Sequence, residues 1–225
     1  MKNLNIKAFG GLLFLLIVMG ILIFIPALTF NYWQAWTFLA VFGISALVIT
    51  LYLMKKDPKL LERRMSAGPI AEKERTQKII QFIASTGFVG ILVVSALDHR
   101  FAWFSMNRFV SIIGDSLVII GFIIIFFVYK QNTFASGTIE IAPDQKVIST
   151  GLYTLVRHPM YMGAFFLLVG IPLSLGSWCG LFVFALMMPA LIWRLFDEEK
   201  FLTKNLLGYS QYKIKVKYRL FPFIW

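Results

Sequence analysis

The sequence has few of the residues that build disulfide-bonded or metal-clustered proteins. Its 225 residues contain one cysteine, Cys179, which excludes an intramolecular disulfide framework and leaves no cysteine cluster to hold a metal ion. Acidic residues are also scarce, with 11 Asp and Glu against 22 Lys and Arg. The chain has neither an internal repeat nor a low-complexity stretch. Whatever chemistry it performs must therefore rest on a small set of polar side chains.

Apolar residues are abundant instead. They make up 59% of the chain, with 23 Phe and a mean hydropathy of +0.76, which exceeds the composition of soluble domains. A transmembrane helix needs about 20 mostly apolar residues. Six stretches are long or nearly long enough and predict an all-α integral membrane protein: residues 9–30, 34–54, 78–97, 109–129, 160–175 and 178–196. Only Gly176 and Ser177 separate the last two, which predicts a tight helical hairpin near the C-terminus.

The basic residues are distributed unevenly between the two sides of these helices. With the N-terminus in the cytosol, 20 of the 22 Lys and Arg fall on the inner side and only Arg100 and Arg108 on the outer side. Because basic residues are retained on the cytosolic side, we predict that both termini are cytosolic. No basic stripe is interleaved with exposed aromatics in a soluble domain, which excludes nucleic acid as the partner. Anionic lipid headgroups account better for the net charge of +11.

The chain is predicted to form one membrane domain in two parts. Residues 1–129 form a four-helix transmembrane part, and residues 130–225 contain a loop, the hairpin and a polar tail. The loop of residues 130–158 is rich in turn-forming residues, with a β-like run at residues 138–141. We expect it to fold over a polar pocket on the cytosolic side.

One polar cluster lies where this loop enters the hairpin, in the run Arg157-His158-Pro159-Met160-Tyr161-Met162-Gly163. Pro159 suits the first position of a helix, so His158 is predicted to be the N-cap. The free N–H groups that follow and the positive end of the helix dipole form an anion site. Gly163 removes a side chain where a ligand can approach the backbone, although a role in helix packing is the alternative.

A second polar cluster, Asp197-Glu198-Glu199, ends the hairpin on a face dominated by positive charge. Neighbouring helical residues point about 100° apart, so the two glutamates are expected to serve different roles. Arg194 is spaced to pair with Glu198. That pairing leaves Glu199 to accept hydrogen bonds from a ligand, although the two roles could be exchanged.

The tail adds aromatic and basic residues that are candidates for lining a pocket or binding an anion. Tyr209 and Tyr212 share a helical face and either wall a pocket or belong to the interfacial aromatic belt. Arg219 either clamps a carboxylate or phosphate or holds a lipid headgroup.

Residues 132–222 resemble the isoprenylcysteine carboxyl methyltransferase family, which is related to the phospholipid N-methyltransferases. The matching parts occur in family order: Asn132, Gly151-Leu152-Tyr153, Arg157 to Gly163, Glu198-Glu199, Gly208-Tyr209 with Tyr212, and Phe221-Pro222. The resemblance implies an S-adenosylmethionine-dependent enzyme that is helical in the membrane, with the cofactor enclosed by hairpin, loop and tail. It implies no Rossmann domain, which agrees with the absence of a Gly-rich fingerprint after a predicted strand.

From the resemblance and the two clusters we predict catalytic roles for Glu198, Glu199 and Arg219. The predicted cofactor-binding residues are Tyr153, Arg157, His158, Tyr161, Gly163, Glu199 and Tyr209, and no metal is expected. The resemblance implies that eukaryotic members place an Arg near the position of Lys215, so the clamp on the acceptor carboxylate is Lys215, Arg219 or neither of them.

The predicted reaction is carboxyl O-methylation of an isoprenylcysteine-like acceptor in a bacterial or archaeal plasma membrane. N-methylation of a phospholipid or another lipophilic amine is the close alternative. A sterol-type membrane reductase and a non-enzymatic membrane scaffold are the hypotheses from other classes.

Overall fold

A computed structural model of the protein describes residues 2–65 and 67–225. In this part of the chain the regular structure is helical, and a short 3₁₀ helix at Gly151–Thr154 accompanies eight α-helices: α1 (Lys2–Ala27), α2 (Trp33–Lys56), α3 (Pro58–Met65), α4 (Arg75–Phe101), α5 (Arg108–Gln131), α6 (Pro159–Ser174), α7 (Trp178–Asn205) and α8 (Tyr209–Lys215). The β-like run predicted at residues 138–141 is wrong. Its Ile139 N–H donates to the Glu72 carboxylate at 3.4 Å and not to a partner strand.

Five helices are long and apolar enough to cross a membrane, namely α1, α2, α4, α5 and α7. The sixth apolar helix, α6, has only 16 residues, about 24 Å at the helical rise of about 1.5 Å per residue, against a hydrocarbon core of about 30 Å. The prediction of an all-α membrane protein with about six spans is thus confirmed in kind and approximately in number. The short α6 lies beside α7, which is 28 residues long.

Helix α5 packs against α6, and α7 packs against α4, as antiparallel neighbours, whereas α4 also packs against α1, which runs in the same direction. Their connections therefore collect at two ends. The site end holds the start of α1, α3, the loop before α6, and the tail. The far end holds residues 28–32, 102–107 and 175–177. Between the two ends lies an apolar core that includes Met19, Ile23, Phe38, Ile91, Leu92, Val118 and Ile171.

The hairpin of α6 and α7 is fixed at both of its ends by local chemistry. Pro159 is the first residue of α6 and His158 its N-cap, as predicted. At the far end Gly176 adopts φ +73°, a left-handed conformation that glycine accepts without strain. Ser177 Oγ then accepts the N–H of Gly180 at 3.0 Å and caps α7. The predicted tight hairpin at Gly176-Ser177 is confirmed.

Helices α5 and α6 approach each other through glycines spaced seven residues apart on each helix, Gly114 and Gly121 on α5 and Gly163 and Gly170 on α6. A Cβ added at Gly170 would lie 2.8 Å from the Gly114 carbonyl oxygen, and one at Gly163 would lie 3.0 Å from the Gly121 oxygen. Backbones this close leave no room for a methyl group. Small residues permit such contacts between membrane helices.

We expect Gly170→Ala to lower the free energy of unfolding by about 1–3 kcal/mol, the range for overpacked sites, although alanine favours a helix by about 1 kcal/mol over glycine. Gly20→Ala is the matched control, because a Cβ there meets nothing within 4 Å, and its stability should stay the same or rise slightly. Thermal unfolding of both variants in one detergent measures the difference. Equal midpoints would contradict direct backbone contact between α5 and α6.

Candidate active site

The two polar clusters of the sequence meet at the site end, where α6 begins beside the last turns of α7. Glu199 is only 4% exposed. Its Oε1 lies 2.6 Å from Arg157 Nε and 3.2 Å from His158 Nε2, and its Oε2 accepts from Arg219 Nε at 3.1 Å. These four residues form the Glu199 cluster. Two guanidinium groups against one carboxylate leave an excess positive charge at the N-terminal end of α6.

The tail is bound to the loop that precedes α6. The backbone N–H groups of Arg157 and His158 donate to the carbonyl oxygens of Tyr218 and Arg219, each at 2.9 Å. The Tyr212 hydroxyl donates to the Tyr153 carbonyl oxygen at 2.8 Å. Loop, hairpin and tail therefore form one packed unit around the Glu199 cluster.

Glu198 points to the other side of α7. Its Oε2 accepts a hydrogen bond of 2.6 Å from the Tyr161 hydroxyl. Arg194 does not form the expected ion pair with Glu198, because its Nη2 donates to Glu72 at 2.7 Å and its Nη1 to Gln77 at 3.0 Å. Of the two adjacent glutamates, Glu199 is thus held by cations, whereas Glu198 is held by a neutral hydroxyl.

A cavity of about 290 Å³ lies at this end of the bundle, near the lower limit of the roughly 300–1,000 Å³ found for small-molecule sites. Of the residues predicted from sequence, the cavity is lined by Tyr153, Arg157, His158, Tyr161, Glu198 and Tyr209. Glu199, Gly163 and Arg219 do not line it. Glu199 and Arg219 meet in the cluster behind the wall, and Gly163 faces α5.

Tyrosine hydroxyls give one wall of the cavity its polarity. Burial raises the pKa of Tyr153 to about 12 and, with the nearby Glu199, raises the pKa of Tyr209 further, so both hydroxyls stay protonated at neutral pH. The Tyr153 oxygen accepts from Asn132 Nδ2 at 2.8 Å. The Tyr209 hydroxyl is buried and has no hydrogen-bond partner among the described residues. Because Tyr209 lines the cavity, we expect this hydroxyl to donate a hydrogen bond to a ligand there.

Sequence reasoning missed the contribution of the first half of the chain. Arg64 of α3 and Gln81 and Ala84 of α4 line the cavity, together with loop residues 134–140. The same loop is fastened to this half through Arg64, which donates to the Ser136 carbonyl oxygen at 2.7 Å, and through Glu72. These residues carry no recognisable motif: Arg64 lies among the basic residues between two predicted spans, and Gln81 and Ala84 lie within the predicted span 78–97.

Comparison with known proteins finds one family model that matches part of the chain. Residues 109–208 match the family model described as phospholipid methyltransferase. The match runs from the start of α5 to the turn before α8 and includes both polar clusters. A search of curated proteins found no match to this chain. The matched residues are similar to the phospholipid methyltransferases, and this confirms the resemblance to that group of related families where the two overlap, at residues 132–208.

Proposed function

We propose that the protein transfers a methyl group from S-adenosylmethionine to a lipophilic acceptor at the membrane surface. The observation that carries this proposal is the cavity lined by His158, Tyr161, Glu198 and Tyr209, which lies within the site end of an apolar helical bundle. A polar ligand from water and an apolar ligand from the membrane can meet there. The positive excess in the basic segments supports a cytosolic orientation for this end.

The cavity residues suit the groups of this cofactor. The first N–H groups of α6 have no partner within the helix, and with the excess charge of the Glu199 cluster they favour an anion such as an amino acid carboxylate. Glu198 has lone pairs for the hydroxyls of a ribose, and the Tyr209 hydroxyl offers a donor without a protein partner. The donor set therefore fits a ligand with a carboxylate and several hydroxyl and nitrogen groups.

The chain's own residues then perform positioning and proton transfer. When bound, S-adenosylmethionine supplies an electrophilic methyl group on a sulfonium, and the thioether leaves as a neutral group. Alignment of two reactants alone provides effective molarities of about 10⁵ M or more. The Glu199 cluster provides that alignment by fixing Arg157, His158 and the tail in one arrangement.

Two acceptor classes differ in what they require of Glu198. A protonated amine must first lose a proton, after which its lone pair forms the new C–N bond as the bond between sulfur and the methyl carbon breaks, and Glu198 in the cavity wall is placed to take that proton. The family match favours this phospholipid or other lipophilic amine reaction. An isoprenylcysteine-like carboxylate is ionised already and requires no base, and it is the acceptor that the motif order favours.

The adjacent glutamates provide a matched pair of variants. We expect Glu199→Gln to lower the free energy of unfolding by about 3–5 kcal/mol, because it leaves buried cations without their counter-charge. Glu198→Gln should unfold close to wild type but lose about 10²-fold or more in turnover if the acceptor is an amine. Thermal unfolding and methyl transfer, measured on the same preparations, separate the two. A Glu198→Gln enzyme as active as wild type would exclude the base role.

Tyr209→Phe removes a hydroxyl that has no protein partner, so we expect unchanged thermal stability and about tenfold weaker cofactor binding by calorimetry. Tenfold corresponds to about 1.4 kcal/mol, a typical contribution of one hydrogen bond. Tyr212→Phe is the matched control, because its hydroxyl bonds to the Tyr153 carbonyl oxygen and its loss should lower stability. Unchanged cofactor affinity in Tyr209→Phe would show that this hydroxyl does not contact the cofactor.

The chemical nature of the product separates the acceptor classes. We expect lipids labelled from methyl-tritiated S-adenosylmethionine to retain their label in base if an amine is methylated, because the C–N bond resists hydrolysis. A methyl ester would release volatile methanol under the same treatment. If all of the label were released as methanol, the acceptor would be a carboxylate and not an amine.

A further inference from the structure

Two adjacent arginines of α3, Arg63 and Arg64, have nearly the same contacts. Each donates an Nη1 hydrogen bond to a carbonyl oxygen of the loop before α6, Arg63 to Thr133 and Arg64 to Ser136. Each guanidinium also lies over an aromatic ring, with centroid distances of 5.9 Å for Arg63 and 5.4 Å for Arg64. They differ in that Arg64 lines the cavity and Arg63 does not.

Arg64 also differs from the other guanidinium groups of the cavity wall. Arg157 pairs with Glu199, and Arg194 pairs with Glu72. Within the described ranges Arg64 has no carboxylate within 4 Å, and its recorded hydrogen bond goes to a neutral carbonyl. A guanidinium has five N–H donors, and Arg64 is half-buried and lines the cavity, so it has donors to offer a ligand there. Guanidinium groups pair preferentially with phosphate and carboxylate.

The position of Arg64 assigns it to the acceptor and not to the cofactor. The cavity-lining residues that suit the groups of the cofactor belong to the loop, the hairpin and the tail. Arg64 comes from α3, outside the matched residues 109–208. Its neighbours in the lining from this half are Gln81 and Ala84 of the membrane-spanning α4. In this part of the cavity, a fixed positive charge therefore lies beside the apolar helical bundle.

The tail residues suggested as the acceptor clamp are not available for it. Arg219 donates to Glu199, and neither Arg219 nor Lys215 lines the cavity. We propose that Arg64 binds the anionic group, phosphate or carboxylate, of a lipophilic acceptor and so sets the acceptor class of the site. This inference rests on the proposed function. Glu198 lines the same cavity. A zwitterionic headgroup would therefore place its amine against Glu198 and its anionic group against Arg64.

The pair Arg63 and Arg64 supplies the test. Arg64→Gln and Arg63→Gln each remove one loop hydrogen bond, but only Arg64→Gln removes a cavity charge. We would measure binding of radiolabelled dodecyl phosphate, laurate and dodecanol to each protein by scintillation proximity in a neutral detergent. We expect Arg64→Gln to bind dodecyl phosphate or laurate at least tenfold more weakly than Arg63→Gln does, with dodecanol binding unchanged.

The anion that responds identifies the acceptor group, phosphate for a phospholipid and carboxylate for an isoprenylcysteine-like substrate. Equal binding of both anions by the two variants would overturn the proposal and leave Arg64 as a loop anchor. If Arg64→Gln does not fold, Arg64→Lys keeps the charge without the planar fork and should bind the anion with intermediate affinity. Wild-type affinity in Arg64→Lys would contradict guanidinium recognition.

Cofactor binding by the same preparations separates this inference from the proposed function. Arg64-dependent anion binding without S-adenosylmethionine binding would contradict the methyltransferase proposal but retain an anionic-lipid site. Cofactor binding without Arg64-dependent anion binding would contradict the proposed role of Arg64 but retain the methyltransferase proposal.

Discussion

The buried Glu199 carboxylate is the contact on which the rest of the site depends. It joins the residues before α6, the last turns of α7, and the tail through Arg157, His158 and Arg219. A carboxylate so deeply buried is costly unless it is paired and hydrogen-bonded. The three partners arrive from sequence positions up to 42 residues before and 20 residues after it. Loss of this one charge would therefore weaken the contacts among all three segments at once, and the backbone hydrogen bonds of Arg157 and His158 to the tail would remain.

The difference in length between α6 and α7 is the geometric constraint that makes this contact possible. With 16 residues against 28, α6 begins where α7 still has several turns to run. Those additional turns carry Glu198 and Glu199 alongside His158. The glycine contacts with α5 hold α6 deep in the bundle, so the start of α6 lies below the loop and the tail and not at the surface.

Much of the fold follows from hydropathy and a few local signals. Long apolar runs predicted the spans, Gly176-Ser177 predicted the hairpin, and Pro159 predicted the start of α6, because each depends on the chemistry of residues close in sequence. The roles within the site depend on distant contacts. Arg194 spaced four residues before Glu198 suggested a local pair, but its partner Glu72 lies 122 residues away.

The orientation of neighbouring side chains could not be predicted for the same reason. Glu198 and Glu199 must diverge by about 100°, but only the packing of the tail shows that Glu199 is enclosed and Glu198 lines the cavity. Likewise, nothing in the spacing distinguishes Arg64 from Arg63, since only the position of α3 against the loop places one of them in the cavity wall.

The central claim is that this cavity at the end of an apolar bundle holds S-adenosylmethionine. Calorimetric titration of the detergent-purified wild-type protein with S-adenosylmethionine tests it most directly, with thermal unfolding as the check that the sample is folded. We expect saturable binding of one molecule per chain. A folded sample that takes up none, with or without added phospholipid, would contradict it.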